Sequence, residues 1–572
     1  MRHGFFGGAF FRQLLRAALF TLTWVVVPSG YSPPVQAQTK PLILPVALPP
    51  GASTWLLGQP YGNTIGAFLR GSEWYEAGQR LHFGIDLSMP CGTPLVAVAD
   101  GEVVAVDDLS FGSGPHNLLI RHTNVGVVSL YGHLLERPPL VAGTFVTQGQ
   151  EVALSGDPDI TCDSRPHLHL EIRSLDYFST YNPVEFIQAD WHMLSLIGSF
   201  RYPVFQQNLD NAREWMSIDD QPNVQFGGRP LNDYAAPFPD LREGSPPPNP
   251  SMMRENIPSV SESLYSTRRL TFSGCCSGAW WHPTQPYRLF AIDGAPNQRA
   301  AIFEWNTRED SLSSLVGQAP PPYTSPDGTH EITLEGTVAR IRRTADGAEW
   351  TVNTAGGFPS LSADNSALVW QIEGSVSTLN QPPRTEVWVS AADGTNPRMI
   401  AAENGLSAQW LDASRLLLSR REGIATTLGV YDTLNGDVII LGAWNRMRGL
   451  TVSPGGSRLM FYLFAQDDAA QSGVYSIETQ MDAQAVQLSW FGAWRWRDAN
   501  SVYYVPFDGA RVMDAAADRN TLHIYDLVTG DDRLVLEDIA IANGEWSVSA
   551  DGQQVVYWNA DDLALWIAQP EL

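Results

Sequence analysis

Lysine is almost missing from this 572-residue chain: Lys40 is the only one, and the other basic side chains are arginines. Lysine and arginine together number 36 against 61 acidic residues, a formal charge of -25. No basic patch able to neutralise several phosphates is expected from that balance, which excludes nucleic acid as a partner. Cysteine is also scarce, with four residues (Cys91, Cys162, Cys275 and Cys276). Four cysteines permit three full pairings. A bridge between Cys91 and Cys162 would brace the segment they share, and two buried thiols fit the sequence equally well. The adjacent Cys275 and Cys276 would strain any bond between them. Long apolar runs are lacking too, so no span is expected beyond the N-terminal region.

That region carries Arg2, Arg12 and Arg16, then the uncharged run Ala17 to Val27, then Pro28 and the small-residue ending Val35-Gln36-Ala37. The layout is that of a secretory signal peptide over 1–37, with an uncleaved signal anchor as the alternative. Its apolar stretch is about half of the roughly 20 residues a spanning helix needs. Export makes disulfides chemically permissible.

With 44% hydrophobic residues, 17% charged and 19 Trp, the rest reads as folded material, and its length implies more than one core. Residues 38–52 are apolar and proline-rich and form an extended lead-in. From 53 to 188, short β-branched runs such as PLVAVADGEVVAVDD, HNLLIRH and GVVSLYGHL alternate with glycines, the pattern of an all-β domain of short strands. Residues 189–262 lose periodicity and fill with Pro, Asn, Ser and Gly, which predicts a linker with a short helix near Asn208 to Met216. From 263 to 572 a unit recurs every 36 to 52 residues: strand, polar turn, strand, as in PYTSPDGTHEITL, LTVSPGGSRLMFY and WSVSADGQQVVYW. About four strands per unit is the size of one propeller blade, and stacking in a ring is how such a unit buries both faces. Seven motifs predict a six- or seven-bladed β-propeller, with the two chain ends combined in one blade. Its S-P-D-G-type turns resemble the TolB-like propellers.

The residues that carry chemistry lie in three short segments: His82-Phe83-Gly84-Ile85-Asp86, Tyr131-Gly132-His133-Leu134, and His167-Leu168-His169-Leu170-Glu171-Ile172. In the last, Leu168, Leu170 and Ile172 alternate with His167, His169 and Glu171. A strand would therefore bury the first set and present both imidazoles on its other face. His82 and Asp86 would stand about 13 Å apart on an ideal strand, so the chain must bend between them, and Gly84 offers the freedom to do so. Two His and one Asp leave a fourth position open on Zn2+, as a catalytic site requires. His133 and His167 then remain for proton transfer or oxyanion stabilisation.

These motifs, their order, the block HFGIDLSMPCGTPLVAVADGEVV, the YGHL segment and the closing Asn182-Pro183 resemble the lysostaphin/LytM-type zinc endopeptidases of peptidase family M23. The resemblance implies a β-rich peptidase domain with His82, Asp86 and His169 as zinc ligands and His133 and His167 as the catalytic pair. It also implies peptidoglycan cross-links or glycine-containing peptides as substrates. One departure is the loop DPDITCDSRP, where the family has a Ser/Thr/Gly-rich stretch, so substrate preference does not transfer. Tyr75 is the nearest tyrosine for an oxyanion role, at an unconvincing spacing.

Two readings of function follow. The first is an exported zinc endopeptidase of cell wall or periplasm whose propeller recognises a protein or glycan partner. The second is a non-hydrolytic wall-binding or scaffold protein that activates another hydrolase. The remaining histidines (His116, His122, His192, His282, His330 and His523) read as core, turn or surface residues. The C-terminal tryptophans read as blade packing, and the Asn/Asp turns as turn formers before Ca2+ sites. Separate cores are expected for the peptidase and the propeller.

Overall fold

The computed structural model describes residues 40–64, 66–67, 75, 80–197, 205, 217–228, 265–271, 279–293, 301–314, 323–374, 382–514 and 519–570. The expected signal segment 1–37, the helix expected near Asn208 to Met216, most of the expected linker, and Cys275 and Cys276 lie outside the described residues. No helix among the described residues is long and apolar enough to cross a membrane.

The first half is a twisted antiparallel sheet. The strands of this half are β1 (Leu56–Gln59), β2 (Ile85–Ser88), β3 (Pro94–Val96), β4 (Gly101–Val106), β5 (Leu118–His122), β6 (Val127–Gly132), β7 (Phe145–Val146), β8 (Glu151–Leu154), β9 (His167–Ser174), β10 (Ser179–Tyr181) and β11 (Val224–Gln225). The main order is β1-β2-β9-β6-β5-β4-β7, with β10 on β9, β11 on β10, and β3 paired with β8 as a separate ribbon. The period-2 pattern of β9 sets its register: Leu168, Leu170 and Ile172 are fully buried on the core side. The lead-in is not loose. Leu42, Leu44 and Val46 are buried, and Leu42 bridges Ile187 in parallel.

The second half is a propeller of seven four-stranded blades. Six are consecutive, from Ala279–Trp281 through Asp532–Ile539. The seventh takes Ile541–Val548, Val555–Asn559 and Leu565–Pro570 from the chain end and adds Tyr265–Arg269 as its outer strand. Ring closure thus rests on strand pairing between two segments about 300 residues apart. The polar turns work as Asp-centred caps. In blade two, Ser325 Oγ donates to Asp327 Oδ1 at 2.6 Å, and that oxygen also accepts from Thr329 N at 3.0 Å; Ser362/Asp364 and Ser549/Asp551 repeat the device.

The two halves share one apolar cluster, unlike the separate cores expected from the sequence. Leu57, Trp191, Leu194 and Ile218 belong to the same cluster as Val512, Ile541 and Trp546. The helix Trp191–Ser195, at the start of the expected linker, packs on the propeller strand Ile541–Val548. Asp190 accepts from Arg511 Nη2 at 3.1 Å, with both side chains largely buried. At Gly509 the backbones approach so closely that a Cβ would lie 1.9 Å from Pro50 O. A proline-rich composition therefore does not imply independence here: the segment flanking it is apolar enough to be buried.

Candidate metal centre

Register brings the predicted residues together. Asp86 on β2 lies directly across from His169 on β9, and Gly132, on β6, faces His169 from the other side. His82 precedes β2 and is tied to Gly62 by a two-way backbone bridge, with N–H···O distances of 2.8 and 2.6 Å. The chain thus turns between His82 and β2. Gly84 does not adopt a left-handed backbone; its role is space, because a Cβ there would meet His169 Cε1 at 2.7 Å.

The three facing atoms are His82 Nε2, Asp86 Oδ1 and His169 Nδ1. They are separated by 3.2 Å (His82 to Asp86), 2.8 Å (His169 to Asp86) and 3.3 Å (His82 to His169). Each ring is turned by its other nitrogen. His82 Nδ1 donates to the Pro60 carbonyl at 2.8 Å, which leaves the Nε2 lone pair facing inward. His169 Nε2 contacts Glu171 Oε1 at 3.1 Å. Glu171 is fully buried and is held by Arg173 Nε at 2.6 Å, and Arg173 donates in turn to Phe111 O at 2.8 Å. A carboxylate that fixes a histidine's second nitrogen is the usual support of a metal ligand.

The electrostatics favour a cation between these atoms. Burial would raise the Asp86 carboxyl, but the imidazoles of His82, His167 and His169 outweigh it and hold it well below the usual carboxylate range. Burial lowers His169, while hydrogen bonds to Asp86 and Glu171 win and push it up to about 9. A proton is therefore stabilised at the place where three acceptor atoms converge. Tetrahedral bonds of about 2.1 Å imply ligand separations of roughly 3.4 Å, close to those seen, so the donor set fits a metal ion.

His133 and His167 flank this cluster. His133 Nδ1 donates to Gly114 O at 2.5 Å and His167 Nδ1 to Arg165 O at 2.5 Å, which leaves each Nε2 without that tie. Their ring centroids are 4.8 Å apart, and His167 Nε2 lies 3.7 Å from Asp86 Oδ1. His133 occupies a left-handed backbone conformation (φ 56°) at the end of β6. Burial first, then the neighbouring imidazoles of His167 and His169, depress it to about 3. Burial likewise lowers His167. Both rings are therefore neutral near pH 7.

Tyr75 lines the same cleft, edge-on to His82 at a ring separation of 5.7 Å, with its hydroxyl donating to Gln59 Oε1 at 3.2 Å. Burial, then the Asp86 charge, push its phenol up, so it stays a donor. The structure thus places Tyr75, whose sequence spacing was unconvincing, beside His82. Cys91 and Cys162 are joined by a disulfide, so the bridge, and not the pair of thiols, is what the structure contains. It ties the departure loop to the turn after β2. Within that loop the buried Asp157 accepts from Ser164 N at 3.2 Å and Arg165 N at 2.9 Å. The remaining histidines lie elsewhere: His116 pairs with Asp107 at 3.0 Å, and His122 is buried between Asp100 O and Ser129.

Residues 80–183 match the model of peptidase family M23. An uncharacterized metalloprotease of Haemophilus influenzae is 38% identical over 92 residues, 16% of this chain and 18% of the relative. The DD-carboxypeptidase/endopeptidase Mpg of Neisseria meningitidis is 39% identical over 94 residues, 16% of this chain and 20% of the relative. The chain thus spans about a fifth of the length of these relatives. The solved structure of a putative TolB from Agrobacterium tumefaciens aligns with 46% of this chain and 96% of its own, at 14% identity and a TM-score of 0.27.

Proposed function

We propose that this chain, which carries a peptidase family M23 domain ahead of a seven-bladed propeller, is an exported zinc endopeptidase that hydrolyses peptide bonds in peptidoglycan cross-links. The observation that carries the reading is the convergence of His82 Nε2, Asp86 Oδ1 and His169 Nδ1 within 2.8 to 3.3 Å of one another. Among the described residues the cluster has three protein donors, which suits a catalytic site that keeps one position open. The family match and the relatives' names support peptidase chemistry. Export rests on the N-terminal sequence pattern.

His82, Asp86 and His169 would hold the ion, with Pro60 O and Glu171 fixing the two ring orientations. When bound, Zn2+ polarises a peptide carbonyl and lowers the pKa of water to about 7. The chain's own residues do the rest. His133 and His167 are neutral, and each keeps an Nε2 lone pair in the cleft, so one accepts the proton of the attacking water and the pair delivers a proton to the leaving amine. The Tyr75 hydroxyl is a donor placed beside His82 for the oxygen on which charge develops. Gly114 O and Arg165 O hold the two rings by their far nitrogens, so they need little reorganisation in the reaction.

The test is digestion of purified peptidoglycan by the full-length chain, with new amino termini counted. Release of free amines that stops on chelation supports the proposal. Binding to the wall with no new amines in the presence of bound zinc would leave the scaffold reading in its place.

A further inference from the structure

The cleft over the histidines is not bounded by the peptidase domain alone. It encloses about 1480 Å3, and its far wall is the propeller. This exceeds the roughly 300–1,000 Å3 of a small-molecule pocket and suits a length of peptide. Arg165, from the loop before β9, lines it together with Arg421, Arg446, Arg448 and Arg495 from the propeller. Asp86 is the one carboxylate residue in that lining among the described residues. In a chain of charge -25, such a concentration of guanidinium groups runs against the bulk composition.

Arg446 pairs with the exposed Asp467 at 3.3 Å, whereas neutral groups orient Arg421, Arg448 and Arg495. Arg421 Nη2 donates to Ser164 O at 3.0 Å across the cleft and its Nε to Gly423 O at 3.2 Å. Arg448 lies over the Phe464 ring at 4.4 Å, and its Nη1 is buried with no hydrogen-bond partner. Neither Arg421 nor Arg448 forms an ion pair with a carboxylate among the described residues. Arg495 donates to the carbonyls of Trp494 and Trp546. Arg421 is open to the water of the cleft, yet the walls enclose it enough that desolvation, then the charges of Arg448 and Arg165, lower its pKa. Arg421 and Arg448 thus put two positive charges on this wall with no carboxylate paired to them among the described residues.

We propose that this wall is a carboxylate-binding subsite in which Arg421 and Arg448 hold free carboxylates of the peptide being cleaved, so that the preferred substrate is an acidic peptide. The planar guanidinium fork matches a carboxylate in a bidentate pair. Because the arginines and the histidine cluster share one cavity, an anion bound there belongs to the molecule that presents the scissile bond. This substrate class rests on the peptidase reading, whereas the charge of the wall does not.

The experiment uses the full-length, zinc-loaded chain and two fluorescent cross-link peptides of one sequence, the first with its carboxylates free and the second with them amidated. Anisotropy gives Kd, and turnover gives kcat/KM, for the wild type and for the Arg421→Gln/Arg448→Gln and Arg421→Lys/Arg448→Lys variants. The wild type is expected to favour the acidic peptide by at least about tenfold in both quantities. The Gln pair brings the ratio near unity, and the Lys pair restores part of it. No preference in the wild type, or full preference in a Gln variant with native circular dichroism and zinc content, overturns the subsite. Acid-selective binding without turnover of either peptide would retain the subsite and remove the peptidase reading. Equal binding and turnover of both peptides would do the reverse.

Discussion

On the peptidase wall of the cleft each of the four imidazoles is tied by one nitrogen to a fixed oxygen and turns the other inward. On the propeller wall the groups are arginines and tryptophans, held by carbonyls, a Thr451 hydroxyl and aromatic faces. The first wall holds its rings in fixed orientations; the second offers long side chains around a roomy cavity. On the proposed reading, bond chemistry and selection of what enters would be carried by segments far apart in sequence and joined by a common core. Changes on the first wall should act on metal and turnover, and changes on the second on which peptide is accepted.

The largest effect is expected from His169→Ala or Asp86→Ala, which should remove metal and activity together. Metal analysis checks this, and full zinc occupancy in His169→Ala would break the assignment. Next come His133→Ala and His167→Ala, expected to keep the metal and lose about 10²-fold or more in kcat. Near-normal rates with both would reduce these rings to structural parts of the wall. Glu171→Gln should weaken zinc binding by about 10- to 100-fold, read by chelator competition, since its carboxylate orients His169 without facing the ion.

A smaller and graded effect concerns pH. His169 is held at about 9 in the folded, metal-free chain, above its ordinary value of about 6.5. Its proton therefore stabilises the metal-free fold below about pH 6.5, and that contribution is lost as pH rises through 9. Zinc must displace this proton, so affinity should rise about tenfold per pH unit between 6.5 and 9 and then level off. Calorimetry in buffers of different ionisation enthalpy reads the released proton. A flat affinity over that range would mean that His169 is neutral before the metal binds.

Much of this was legible in the sequence because it is periodic. Alternation along His167–Ile172 set the face on which two histidines and Glu171 lie, and the recurring polar turns of the C-terminal half announced the blades. The rest depends on contacts with no local pattern. That Glu171 is buried and clamped needs Arg173 and Phe111, and the latter lies on a distant turn. Gly84 reads as a hinge in sequence, while its missing side chain makes room for a ring brought in from β9. The common core was hidden for the same reason: Asp190 and Arg511 are 321 residues apart, and nothing in either segment announces the other. Ring closure had a sequence signal, in that seven motifs were too many for six blades unless the chain ends met.

The most direct test of the central claim is a zinc titration of the metal-free full-length chain, with hydrolysis of a cross-link peptide followed at each addition. Activity should rise in proportion to zinc and stop at one ion per chain. Zinc that binds stoichiometrically to the His82, Asp86 and His169 site while the peptide remains intact would contradict it.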